Sequence, residues 1–112
     1  MIELIVLNYL QSELGVPVYM TEPESPPDLY IRVQKTGSGV RNKIRTATFA
    51  IQSYGNSLLD ASVLSDRVVK AMLDSTSMDE ISSCDLNSEY NFTDTQTRRF
   101  RYQAVFDLVY FF

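Results

Sequence analysis

Residues 97–112 alternate so regularly that they fix one strand and the face it buries. Phe100, Tyr102, Ala104, Phe106, Leu108, Tyr110 and Phe112 fall on one side of a period-2 pattern. Arg99, Arg101, Gln103 and Asp107 fall on the other, and Val105, Val109 and Phe111 make that second side progressively apolar. Helical spacing would scatter the aromatic residues round a circumference, so the pattern predicts a strand. A strand apolar on both sides needs cover on both sides, from its own fold or from another subunit. The expectation that follows is a protein that works by assembling.

The rest of the chain supplies partners for that strand. Val6, Leu10 and Leu14 recur at helical spacing, predicting a helix over residues 2–14 that stops at Gly15 and cannot continue through Pro17. Residues 16–20 read as a short extended piece. Pro23, Pro26 and Pro27 stiffen a loop that also carries Glu22, Glu24 and Asp28. Residues 29–36 and 44–54 alternate as two strands, with Gly37-Ser38-Gly39 as the expected turn and a mobile, basic tip from Lys35 to Arg45. Ser57 is an N-cap for a second helix ending near Leu73, with Ala61, Leu64, Val68, Ala71 and Met72 as its apolar stripe. Residues 74–85 read as a Ser- and acid-rich loop with one turn near residues 78–81, residues 87–93 as a strand, and residues 94–96 as a turn. The expected fold class is α+β: an antiparallel sheet of about four main strands packed against two helices in two layers.

A length of 112 residues suits one domain with a single modest core, spanning residues 1–112. The formal net charge of −4 makes the chain a poor general nucleic-acid binder, because phosphate neutralisation needs clustered Lys and Arg. The lone Cys84 excludes an intrachain disulfide framework and fits a reducing compartment. Glu3, Asn8, Gln11 and Glu13 interrupt the apolar start, and no basic segment precedes it, which argues against a signal peptide. No apolar run approaches the roughly 20 residues a bilayer-spanning helix needs. The expectation is a soluble, intracellular product with no membrane partner.

Reactive chemistry is sparse. Without histidine there is no Ser-His-Asp or Cys-His pair, no base that titrates near neutral pH and no usual zinc site. Acids gather in two loops (Glu22, Glu24, Asp28; Asp74, Asp79, Glu80, Asp85) without the spacing of a calcium loop. Gly37-Ser38-Gly39 lies between strands rather than ahead of a helix, so a phosphate cradle does not follow. The expectation is no enzyme, no catalytic or metal-binding residue and no cofactor. The basic residues Lys35, Arg41, Lys43 and Arg45 read either as solvated charge that protects an edge hairpin or as a contact for an acidic partner or passing DNA. Arg99 and Arg101 share a face, roughly 7 Å apart by strand geometry. They cap a solvent-facing surface, pair across strands with Glu89, or meet another subunit.

One succession of motifs runs through nearly the whole chain. A proline-rich loop leads into a Tyr-Ile-Arg-Val strand (residues 26–33), and Phe49-Ala-Ile-Gln-Ser-Tyr-Gly55 leads into a Ser-capped helix. Tyr90-Asn-Phe-Thr-Asp94 and Arg99-Phe-Arg-Tyr-Gln103 follow. This order resembles the small tail-completion or tail-terminator proteins of long-tailed bacteriophages. The resemblance implies an α+β subunit that joins a hexameric ring, caps the tail tube, ends its polymerisation and offers the surface that joins the head. It implies a tail-tube protein and a head–tail connector protein as partners, with DNA passing non-specifically through the ring, in the virion and, during assembly, in the host cytoplasm. It supplies no site residues, so interface candidates come from the chain itself. Glu22, Glu24 and Asp28 could complement Lys35, Arg41, Lys43 and Arg45 on a neighbour. Tyr30, Tyr54, Phe111 and Phe112 are candidate anchors, and Arg99 and Arg101 a further contact. Two other readings stay open: a head-completion or connector protein, and a monomeric protein-binding module of the host cell.

Overall fold

Phe100–Tyr110 forms a strand inside the sheet rather than at its edge, and the computed structural model, which describes residues 1–111, places the remaining elements around it. In chain order these are helix α1 (Ile2–Leu14), strands β1 (Val18–Tyr19), β2 (Tyr30–Arg41) and β3 (Ile44–Gly55), helix α2 (Leu58–Leu73), and strands β4 (Ile81–Asn91) and β5 (Phe100–Tyr110). A 3-10 turn, Asp74–Ser77, follows α2. The five strands run β1-β2-β3-β5-β4, antiparallel except for the short parallel β1–β2 pair. The fold is α+β in two layers, with the four long strands expected and one short strand added at the edge.

The period-2 pattern of β5 is the pattern of its burial. Ala104, Phe106, Leu108 and Tyr110 are buried, whereas Asp107 between them is exposed. Phe106 lies opposite Phe49 and Leu86, and Ala104 opposite Ile51. With Ile31, Val33 and Ala47, the side chains of Phe49, Ile51, Ala104 and Phe106 meet Val6 and Leu10 of α1 and Leu64, Val68 and Met72 of α2, whereas Leu86 is exposed. Both helices therefore cover the same face, and the other face carries no helix. Gly15 ends α1 at φ 64, its N–H bonding to Gln11 O. The Ser57 hydroxyl accepts Asp60 N–H at 3.0 Å and starts α2. Tyr9 OH donates to Ala71 O at 2.6 Å and Arg67 Nη2 to Leu14 O at 2.9 Å, tying the helices together.

The structure corrects four local expectations. Gly37, Ser38 and Gly39 lie within β2, not in the turn. The chain reverses at Asn42 and Lys43, with φ 52 and 66, the conformation of a two-residue hairpin whose twist matches its strands. The register shift between Lys35 and Gly37 shows that the glycines serve a bulge. Strand β4 begins at Ile81, where a loop with a turn was expected. Ile81 and Cys84 point into the core, and shifts at Ile81/Ser83 and Leu86/Ser88 interrupt the alternation that would reveal it. Glu89 accepts from Ser65 Oγ at 2.6 Å, so it lies on the helix side and cannot pair with Arg99 or Arg101. The last strand starts at Phe100, because residues 95–98 form a turn that closes on an Asp94–Arg99 bridge with Arg98 at φ 56. Phe111 donates its N–H to Glu80 O at 3.0 Å yet is 57% exposed. Phe112, the other terminal candidate, lies outside the described residues.

Phe106→Ala is expected to cost about 3–5 kcal/mol in urea unfolding, as deletion of a fully buried ring does. Phe111→Ala, on an exposed ring, is expected to stay within about 0.5 kcal/mol. Equal losses would contradict this placement of the core. Arg98→Gly is expected to raise stability by about 1 kcal/mol, because a left-handed φ strains any side chain with a Cβ; a loss would place the turn differently.

Candidate assembly surfaces

Alternation along β2 sends Ile31 and Val33 into the core, and therefore Tyr30 and Arg32 to the helix-free face. There Tyr30 lies opposite Tyr54, and Tyr54 opposite Arg101. The two rings stack with centroids 4.3 Å apart and planes 6° from parallel. Tyr19 meets Tyr30 edge-on at 5.9 Å. The Arg99 guanidinium stands 5.4 Å from each stacked centroid, and that of Arg101 stands 4.5 Å from the Phe92 ring.

Hydrogen bonds join these groups. Arg99 Nη2 donates to Tyr30 OH at 3.0 Å, and Tyr30 OH donates to Glu22 Oε1 at 2.6 Å. Arg101 Nε donates to Phe92 O at 2.6 Å and its Nη1 to Tyr54 OH at 3.2 Å. From Tyr54 OH the path runs to Gln52 Oε1 at 3.2 Å, from Gln52 Nε2 to Gln103 Oε1 at 2.9 Å, and from Gln103 Nε2 to Tyr90 OH at 2.5 Å. Burial, and then the bond to Glu22, push the Tyr30 phenol far above its ordinary 10.0. It is a donor at physiological pH, not a base. Backbone N–H donation from Gln96 holds the Asp94 carboxyl below the usual range. Glu22, Tyr54, Asp94, Thr97, Arg99 and Arg101 border a depression of ≈ 330 Å³. Its walls carry charges of both signs, and the bonds from Arg99 to Tyr30 and from Tyr30 to Glu22 tie the proline loop to the end of the 95–98 turn. Among the described residues, no group of three or more His, Cys, Asp or Glu is placed to hold a metal ion, and no helix is long and apolar enough to cross a membrane.

Of the candidates read from the sequence, Glu22, Tyr30, Tyr54, Arg99 and Arg101 thus converge. Tyr30 and Tyr54 are buried within their own chain, so they position arginines rather than anchor a partner. Lys35 leaves the tip, since its Nζ pairs with Glu3 Oε2 of α1 at 3.3 Å. Arg41, Lys43 and Arg45 remain exposed at the hairpin end. Glu24 and Asp28 are exposed on the proline loop. Asp28 also borders a groove of ≈ 360 Å³ with Leu29, Leu59, Asp60, Val63 and Arg67. The expected anchors did not include the exposed apolar residues Val40 and Ile44, which flank the hairpin turn, or Leu59 and Val63 of α2. Signals existed for both. Val40 and Ile44 are apolar where a tip is ordinarily polar, and Leu59 and Val63 make an i, i+4 pair outside the buried stripe.

A raised folded-state phenol pKa gives Tyr30 a stabilising contribution that is full below about pH 10 and lost as pH climbs beyond it. The urea midpoint of the natural chain is expected to fall above about pH 10 more steeply than that of Tyr30→Phe. Parallel curves would contradict the environment assigned to this ring.

No protein-family model matches the chain, and no curated protein matches it in sequence. Its surfaces therefore carry the functional argument.

Proposed function

We propose that this chain is a non-enzymatic structural protein of tail-terminator type, which joins a ring on the end of a bacteriophage tail tube. The ring ends tube polymerisation and presents the surface for a head–tail connector protein, at the tail–head junction of the virion and before that in the host cytoplasm. Six copies per ring, and a bore that lets DNA pass, are what the family resemblance implies. The observation that carries the reading is the distribution of uncovered surface. Val40 is 67% exposed and Ile44 53% exposed beside Arg41 and Lys43, and Phe111 is exposed beyond β5. Large apolar side chains clustered with charge at one end of a small domain are the composition of a contact surface rather than of a solvated tip. The lack of any histidine supports a role without a reaction.

Deleting the gene from its phage is expected to give DNA-filled heads with overlong or unjoined tails in electron micrographs. Empty, leaking heads would instead favour head completion and sink the terminator reading. Purified chain mixed with tail-tube protein is expected to form rings on tube ends. Changing Arg41, Lys43 and Arg45 to Ser should slow that capping more at low salt than at high salt. A salt-independent effect would remove the electrostatic part of the role.

A further inference from the structure

We infer that the hairpin end of one copy docks in the groove beside α2 of a second copy, head to tail. The inference rests on the reading that the chain self-assembles, and it names the contact. The hairpin end offers two apolar knobs on opposite faces of the ribbon, Ile44 beside Arg41 and Val40 beside Arg45, with Lys43 at the turn between them. The groove offers Leu29, Leu59 and Val63 as an apolar floor, and Asp28 and Asp60 as anions beside it. Leu59 is 72% exposed. Charge and apolar character thus match in both respects, with Arg67 the groove's one opposing cation. The acidic partner of the tip is therefore Asp28 and Asp60 rather than Glu22, whose carboxylate is already held by Tyr30.

Distance excludes an intramolecular contact. Ile44 begins β3, and the groove lies just past its other end, where Gly55 leads into α2. Twelve strand residues separate knob and groove by roughly 35 Å, in a molecule 44 Å long. Each copy that docks its tip keeps a free groove, and each filled groove leaves a free tip. Such a heterologous contact propagates from copy to copy, and it closes into a ring when the rotation at each contact permits.

The test uses Ile44→Cys and Leu59→Cys in the full chain, with Cys84 buried in the core and its thiol pushed up to about 11 by burial. On mild oxidation each single variant alone is expected to remain monomeric. An equimolar mixture should yield cross-linked dimer, and the double variant a ladder of higher oligomers. A mixture no more cross-linked than either single variant overturns the inference, as does a double variant that stops at dimer, which would mean reciprocal exchange. Adding Lys43→Asp to the Ile44→Cys chain is expected to cut dimer yield at least about tenfold at low salt, and Asp28→Lys on the Leu59→Cys chain to restore it. If Lys43→Asp leaves cross-linking intact and abolishes retention on DNA, the tip faces nucleic acid and the docking is overturned. Rings on tube ends without cross-linking would refute this contact and spare the terminator reading. Cross-linking without tube capping would do the reverse.

Discussion

The ladder between β3 and β5 is the constraint on which the rest of the structure depends. It runs from Arg45 opposite Tyr110 to Gly55 opposite Phe100, and it sets Phe49 against Phe106 and Ile51 against Ala104 in the core. Both strands are paired on both sides, since β2 flanks β3 and β4 flanks β5. Among the described residues β5 is the one strand that pairs with β4, so its serine- and acid-rich segment is extended because β5 is there to receive it. Helix α2 packs on this same pair, and α1 reaches the core beside it through Val6 and Leu10. The pairing joins residues far apart in sequence, so the chain gains its core only after a costly loop closure.

One-sided helix cover leaves the opposite face to find its own stabilisation. At one end of that face, stacked tyrosines and the two arginines replace a second helical layer. The rings bury apolar area, while their hydroxyls and the Gln52–Gln103 pair satisfy one another's hydrogen bonds. Such a network is rigid and leaves little aromatic area for a partner. The other end of the sheet lacks this device: Val40, Ile44 and Phe111 stay uncovered there. Uncovered apolar surface and self-stabilisation are thus divided between the two ends of the same strands.

Much of this was legible from local rules. Gly15 and Ser57 mark helix boundaries through backbone geometry that involves only near neighbours, and the alternation of β5 survives because the strand has a core on one side throughout. The parity argument that puts Arg99 and Arg101 on one face holds for the same reason. What failed depends on register. A turn centred on Ser38 would set Tyr30 opposite Thr46, whereas the reversal at Asn42 and Lys43, with the bulge before Gly37, sets it opposite Tyr54. The stacked pair follows from that shift, and the β3–β5 register then sets Arg101 beside it. Two glycines gave the stronger turn signal, although Asn42 is a residue that tolerates left-handed φ. In β4, the register shifts destroyed the period on which strand recognition relies.

A knob and a groove at opposite ends of a strand have a consequence for assembly that their chemistry alone does not. Because β3 is hydrogen-bonded along both edges, the rotation between its two ends is set by the twist of the sheet and not by a flexible linker. In the inferred contact every tip would therefore enter the next groove at the same angle. A fixed angle is the requirement for closing at one subunit number, where a loose one would give open chains of mixed length. The division of labour at the contact fits the same demand. Arg41 and Lys43 facing Asp28 and Asp60 would speed encounter and set register, and they would weaken with salt. Val40 and Ile44 against Leu59 and Val63 would supply the area that holds it closed. Both patches are small, so in the proposed ring a single contact would be weak and each copy would gain from being held twice. Under the proposed function, a subunit held by such weak single contacts would meet its neighbours only transiently in solution and persist as a ring where a tube end presents several copies at once.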